Sequence, residues 1–184
     1  PLRWRKPRRI FVNSMSDLFH EPLSDQEIED VFAVMALAPR HTYQVLTKRA
    51  DRLCAWASGK SGPRGMNIAG AAFNMNSRLR TEHPFKPLGS LSDPPARFPL
   101  PNVWLGVSVE DQKRADERIP LLLQTPAALR FLSVEPLLGP IRFRDVPGLN
   151  RIGAGPGLDW VIVGGESGPG ARPCELGWIR DIVE

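Results

Sequence analysis

Five short apolar runs recur along the chain, and each ends in polar or charged residues. Residues 10–13 run into Ser14-Met15-Ser16-Asp17, and 43–46 run into Thr47-Lys48-Arg49. Residues 103–107 lead to Ser108-Val109-Glu110, and 129–132 lead to Ser133-Val134-Glu135. Residues 159–163 end in Gly164-Gly165-Glu166-Ser167. Short apolar runs of this kind are buried strands of a parallel sheet, and ligands of such sheets sit beyond the carboxyl ends of the strands.

Helical periodicity falls between the runs. Ser24 and Glu27 form a capping box ahead of Ile28, Val31, Phe32 and Met35, which share one helix face. Pro39 marks the end of that helix. A short helix starts near Asp51, and another starts near Glu110 and Asp111 and runs towards Leu123, with Pro120 bending or interrupting it. Trp178, Ile179, Ile182 and Val183 mark a last helix. Residues 58–101 hold seven prolines and five glycines with weak periodicity. They read as an insertion rather than a core element, with a helix predicted over 67–79. The order predicts one α/β domain over 1–184, a parallel sheet with flanking helices. Phe11, Trp104, Phe131 and Trp160 are expected to pack the core because they lie on strands.

Composition narrows the class. The chain has 184 residues, 42% hydrophobic and 24% charged, close to globular averages. No run approaches the roughly 18 apolar residues of a membrane span, and no signal peptide is recognisable. Cys54 and Cys174 lack metal-site spacing and read as free thiols of a cytoplasmic protein. The net charge of +4 is partly local: Arg3, Arg5, Lys6, Arg8 and Arg9 fall within the first nine residues, beside Trp4. Such a segment can hold phosphates and stack on a base, or it is a solvated surface. The last helix reaches Glu184 unfinished, and five strands are too few for an eight-strand barrel, so a piece of a longer open reading frame, or a processed product of one, is expected. An open sheet edge predicts a homodimer.

The candidate chemistry lies at the strand ends. Asp17, Glu110, Glu135 and Glu166 stand on one expected rim. Any of them can instead cap a helix, which applies most to Glu110, with Asp111 and a helix following. Glu135 precedes Pro136, and Glu166 follows two glycines where backbone can approach a ligand. Thr47, Lys48 and Arg49 can hold a carboxylate or phosphate, or pair with rim acids. The loop 164–170 has neither the Walker A nor the dinucleotide-binding spacing, but it offers backbone donors ahead of a helix, with Arg172 able to assist. His20, beside Glu21, is the histidine nearest the rim, and none of the three has metal or triad spacing.

The segments FVNSMSDLFHE (11–21), FAVMALAPRHTYQVLTKR (32–49), LPNVWLGVSVEDQ (100–112), LRFLSVEPLLGPI (129–141) and DWVIVGGESGPGARP (159–173) closely resemble the phage Gp37/Gp68-like family. That family looks like a divergent branch of the radical S-adenosylmethionine (SAM) enzymes. The resemblance implies a partial (β/α) barrel, a SAM-binding rim and a four-iron iron–sulfur cluster. It implies that the cluster's three cysteines lie upstream of FVNSMSDLF, so that the chain as given lacks them and is inactive. Ser14, Ser16 and Asp17 would meet the methionine amine, and Lys48 or Arg49 the carboxylate. Ser108 and Glu110 would meet ribose. Glu135, Gly164, Gly165 and Glu166 would meet adenine or substrate, for which nucleic acid or nucleotides are a candidate class. Two alternatives remain at this point: a non-catalytic nucleic-acid-binding or phage accessory module on a degenerate barrel, and a metal-independent hydrolase with no identifiable nucleophile.

Overall fold

The computed structural model describes residues 1–59, 64–82, 98–149 and 157–183. The five apolar runs form strands β1 (Arg9–Val12), β2 (Thr42–Thr47), β3 (Val103–Ser108), β4 (Leu129–Val134) and β5 (Trp160–Val163). All neighbours pair in parallel, in the order β1-β2-β3-β4-β5. The helices are α1 (Asp25–Leu37), α2 (Ala50–Ala57), α3 (Arg64–Glu82), α4 (Gln112–Gln124) and α5 (Leu176–Val183). The fold is α/β, and its sequential winding is that of a partial (β/α) barrel rather than of a doubly wound sheet, where the strand order reverses.

Register separates the two faces of the sheet. Ile10, Tyr43 and Val103 are aligned; so are Val12, Val45 and Leu105, and then Thr47, Val107, Leu132 and Val161. The apolar members of these rows join the main hydrophobic cluster with residues of α1, α2, α4 and α5. The alternate positions form the other face. Phe11, Gln44, Trp104 and Leu129 make one row, and Leu46, Gly106, Phe131 and Trp160 the next. None of these eight joins that cluster. Phe11 and Trp160 are 43% and 38% exposed. The expectation that Phe11, Trp104, Phe131 and Trp160 pack the core holds for Phe131, which is fully buried, and is corrected for Phe11 and Trp160, which are exposed, while Trp104 is half-buried. Phe131 lies beneath Trp160 and over Gly106, on the sheet face that no described helix covers, the helix-free face.

Local chemistry accounts for the helices. In α1 the Ser24 N–H donates to Glu27 Oε2 at 2.7 Å and the Glu27 N–H to Ser24 Oγ at 3.3 Å, the predicted capping box. In α4 the Asp111 carboxylate accepts from the Arg114 N–H at 2.8 Å, while Ala115, Ile119 and Leu122 are buried at helical spacing. The helix continues through Pro120 to Gln124, because packing of that face outweighs one missing hydrogen bond. Its far end is held by a strand residue. The Arg130 guanidinium donates to the carbonyls of Leu122 and Thr125, at 3.1 and 2.7 Å. Burial there pushes the Arg130 pKa down, with the Asp159 charge partly opposing.

The 58–101 region is not peripheral throughout. Helix α3 packs on α1, with Ile68, Ala71 and Ala72 buried. Arg64 is 3% exposed and bridges three elements, donating to the Trp56 carbonyl, to Glu29, and to Asp25 at 3.0 Å. Asn67 donates to the same Glu29 carboxylate at 2.8 Å. The small residues of α3 gave little periodic signal, yet they let the two helices approach. The predicted helix 67–79 falls inside α3, and expectations for 60–63 and 83–97 lie outside the described residues.

Gly106 tests the helix-free face. A Cβ there would sit 2.7 Å from both the ring and the carbonyl oxygen of Phe131. Gly106→Ala is expected to cost about 1–3 kcal/mol, read as a lowered urea midpoint. An unchanged midpoint would mean that Phe131 does not press on this strand.

Candidate functional site

All five strand ends open onto one rim, and charged side chains knit it together. At the β1–β2 side Asp17 is the hub. Its carboxylate accepts from Thr47 Oγ1 at 2.8 Å, the Phe19 N–H at 2.9 Å, the Lys48 N–H at 3.2 Å and Arg49 NH1 at 3.0 Å. Burial pushes the Asp17 pKa up, but these donors together outweigh it and hold it below the ordinary value. Arg49 also donates to Glu21 at 2.8 Å, which lowers that carboxyl to about 2. Ser14 and Ser16 are exposed on the preceding turn, where Asn13 has φ 57° and Met15 is 96% exposed.

The middle of the rim is a second network. Glu110 does not cap α4; Asp111 does. Glu110 instead meets Lys48 Nζ at 2.6 Å and Arg118 NH1 at 3.0 Å. Arg118 also donates to the Ser108 carbonyl at 2.7 Å, tying α4 to the end of β3. The backbone continues the link: the Leu138 N–H donates to the Glu110 carbonyl and the Leu137 N–H to the Gly164 carbonyl, both at 2.8 Å. Ser108 and Ser133 are aligned and buried at the carboxyl end of the helix-free face, and Ser133 Oγ donates weakly to Glu135 at 3.4 Å. Gly164 lies beneath Glu135, where a Cβ would come within 2.5 Å of Glu135 Oε1. Gly165 packs against Cys174.

On the β5 side, Glu166 accepts from the Arg172 N–H at 2.9 Å and from both edges of its guanidinium at 2.8 Å. Arg172 holds the Glu166 carboxyl at about 2. Gly168 and Gly170, with φ of 100° and 79°, let the chain turn back within six residues to make this contact.

Between these networks is a cleft of about 460 Å³. Lys48, Arg114, Arg118 and Arg172 supply cations, Glu110, Asp111 and Glu166 supply carboxylates, and Pro136 and Leu138 are apolar. Of the candidates, Lys48, Glu110 and Glu166 thus line one cavity. Asp17 and Arg49 brace its β1–β2 side, and Glu135 and Gly164 stand at its β4–β5 edge. Arg114 and Arg118 escaped notice in the sequence. Their i, i+4 spacing behind a capped helix start was the available signal, since it sets both on one helix face.

One family model, described as "Protein of unknown function (DUF5131)", matches residues 1–184. The chain belongs to that family. No curated protein and no solved structure matches it. Among the described residues of this DUF5131 chain no group of three His, Cys, Asp or Glu side chains could hold a metal ion, and Cys54 and Cys174 are free thiols. No described helix is long and apolar enough to cross a membrane.

The DUF5131 rim carries a pH signature. Asp17, Glu21 and Glu166 have folded pKa values below their ordinary 3.8 and 4.5. Depressed carboxylates stabilise the fold above the unfolded-state values, and that contribution is lost as pH falls through the folded ones. The urea midpoint is expected to vary little through this titration above pH of about 4.5 and to fall between there and about 2. Asp17→Asn should lower the midpoint at neutral pH and shrink the acid-side fall. An unaltered acid-side fall in that variant would show that Asp17 is not among its causes.

Proposed function

We propose that this DUF5131 chain binds S-adenosylmethionine across its strand-end rim, as a divergent relative of the radical SAM enzymes within the phage Gp37/Gp68-like group. The cleft beside Lys48 and Glu110 carries this reading. The amino-acid end of SAM has a carboxylate, an ammonium and a sulfonium, and the cleft offers cations and carboxylates within one small volume. Each group of the ligand can take over a partner from an existing ion pair. Lys48 is 56% exposed while its partner Glu110 is 13% exposed, so the lysine is the member of the pair that can swing to a ligand.

Residue roles follow from position. Lys48 and Arg118 would take the ligand carboxylate, and Glu110 would face the ammonium or sulfonium. Glu135, above Gly164, and the Ser133 hydroxyl would face ribose or adenine. Asp17 would act as a positioning residue: its carboxylate already accepts from four groups and holds Lys48 and Arg49 at the rim. A four-iron cluster does not fit the residues present, because the chain has two cysteines, one in α2 and one against Gly165. No radical step is assigned to them.

Isothermal titration of the chain with SAM tests the proposal. Binding is expected, and S-adenosylhomocysteine, without the sulfonium charge, should bind more weakly. Lys48→Ala and Glu110→Gln should each lower SAM affinity by roughly 10-fold or more. Absence of SAM binding, or unchanged affinity in both variants, would overturn the assignment.

A further inference from the structure

The helix-free sheet face changes character along its strands. Its carboxyl end holds hydroxyls and carboxylates, its middle holds aromatic rings, and its amino end is basic. Arg9 lies over Trp104, with its guanidinium carbon 5.8 Å from the ring centroid. Trp104 meets Trp160 edge-on at 5.9 Å, and Trp160 tilts against Phe131 at 5.8 Å. Phe11, aligned through β2 with Trp104, is 43% exposed.

The segment before β1 is held at the amino end of the sheet, with Leu2 against the main hydrophobic cluster, and Arg9 is the residue that carries its charge onto this face. Arg40 Nε donates to the Trp4 carbonyl at 2.6 Å, and its NH2 donates to the Leu2 carbonyl at 2.8 Å. His41 Nδ1 accepts from the Arg8 N–H at 3.2 Å, and the Thr42 N–H donates to the Arg8 carbonyl at 2.9 Å. The backbone is thereby fixed while Arg3, Arg5, Lys6, Arg8 and Arg9 stay exposed. Residues 1–16 hold no acidic side chain. Asp159, at the amino end of β5, is turned to the Arg130 N–H at 2.8 Å.

We infer that this face binds single-stranded nucleic acid, with bases stacked on Phe11 and Trp160 and phosphates held by the basic segment ending at Arg9. A sheet bearing exposed rings, flanked by cations, fits unpaired bases because their flat faces are accessible, whereas a duplex keeps them stacked on each other. Charge favours this occupant over a second copy of the chain, since two such basic segments would repel. The inference is independent of SAM binding, and its test omits SAM.

Fluorescence anisotropy with a labelled oligodeoxythymidylate of about 15 nucleotides, the matching oligouridylate and a duplex reads the interaction directly. Single strands should bind more tightly than duplex and quench tryptophan emission. The ratio of oligouridylate to oligodeoxythymidylate affinity would identify RNA or DNA as the preferred source. Phe11→Ala and Trp160→Ala should each weaken binding roughly 5- to 150-fold, the range measured for lost base stacking. Arg9→Gln should reduce the slope of log affinity against log salt by about 0.7. Circular dichroism of each variant separates lost contact from lost fold. Absence of binding at about 50 mM salt would overturn the inference. So would duplex affinity equal to that of the single strand, or ring variants that remain folded and bind as well as the parent. A dimer dispersed by Phe11→Ala would assign the face to a second copy and equally overturn it.

Discussion

A parallel strand pair needs a crossover, and in one sheet the crossover takes one hand. With β1 to β5 side by side in chain order, that single hand sends the connecting helices to the same face. The helices bury Tyr43, Val45, Leu105, Val107 and Leu132, and none of the described helices covers the alternate row of side chains. The same constraint turns all five carboxyl ends in one direction, so charges far apart in sequence share a rim.

Charge pairs the side chains of that rim, while Leu18, Phe19, Val109 and Leu137 anchor its loops in the core. Of its three local pairings, at Asp17, Glu110 and Glu166, the first two are joined through Lys48, and backbone hydrogen bonds run from Glu110 through Leu138 and Leu137 to Gly164. The pairings differ in exposure. The Asp17 carboxylate is 16% exposed and accepts from several donors, which suits a brace. Lys48 reaches Glu110 from a largely exposed side chain, which suits exchange with a ligand. One edge thus combines a fixed part with an adaptable one.

Strand positions, the Ser24–Glu27 cap and the gathering of Asp17, Lys48, Glu110 and Glu166 at one edge were legible in the sequence, because each depends on local pattern and on winding. Which sheet face is covered was not. Alternation tells Phe11 and Trp104 from Ile10 and Val103, but whether a helix lies above them is decided by topology. Helix α3 was obscured because its contact with α1 uses alanines and a buried ion pair instead of a stripe of large apolar residues. Glu110 was ambiguous because two acids precede one helix; the extended backbone at Asp111 makes it the cap and leaves Glu110 facing Lys48 and Arg118.

The clasp of Arg130 on the last carbonyls of α4 has a consequence at a distance. A rigid rod fastened at its tail has a defined height at its head. Arg114 and Arg118 ride on that rod, and Asp111 caps its leading end, so the reach of these side chains over the strand ends is gauged by a guanidinium near the opposite, amino end of the strands. Position 130 therefore bears, through α4, on a cleft whose lining does not include it.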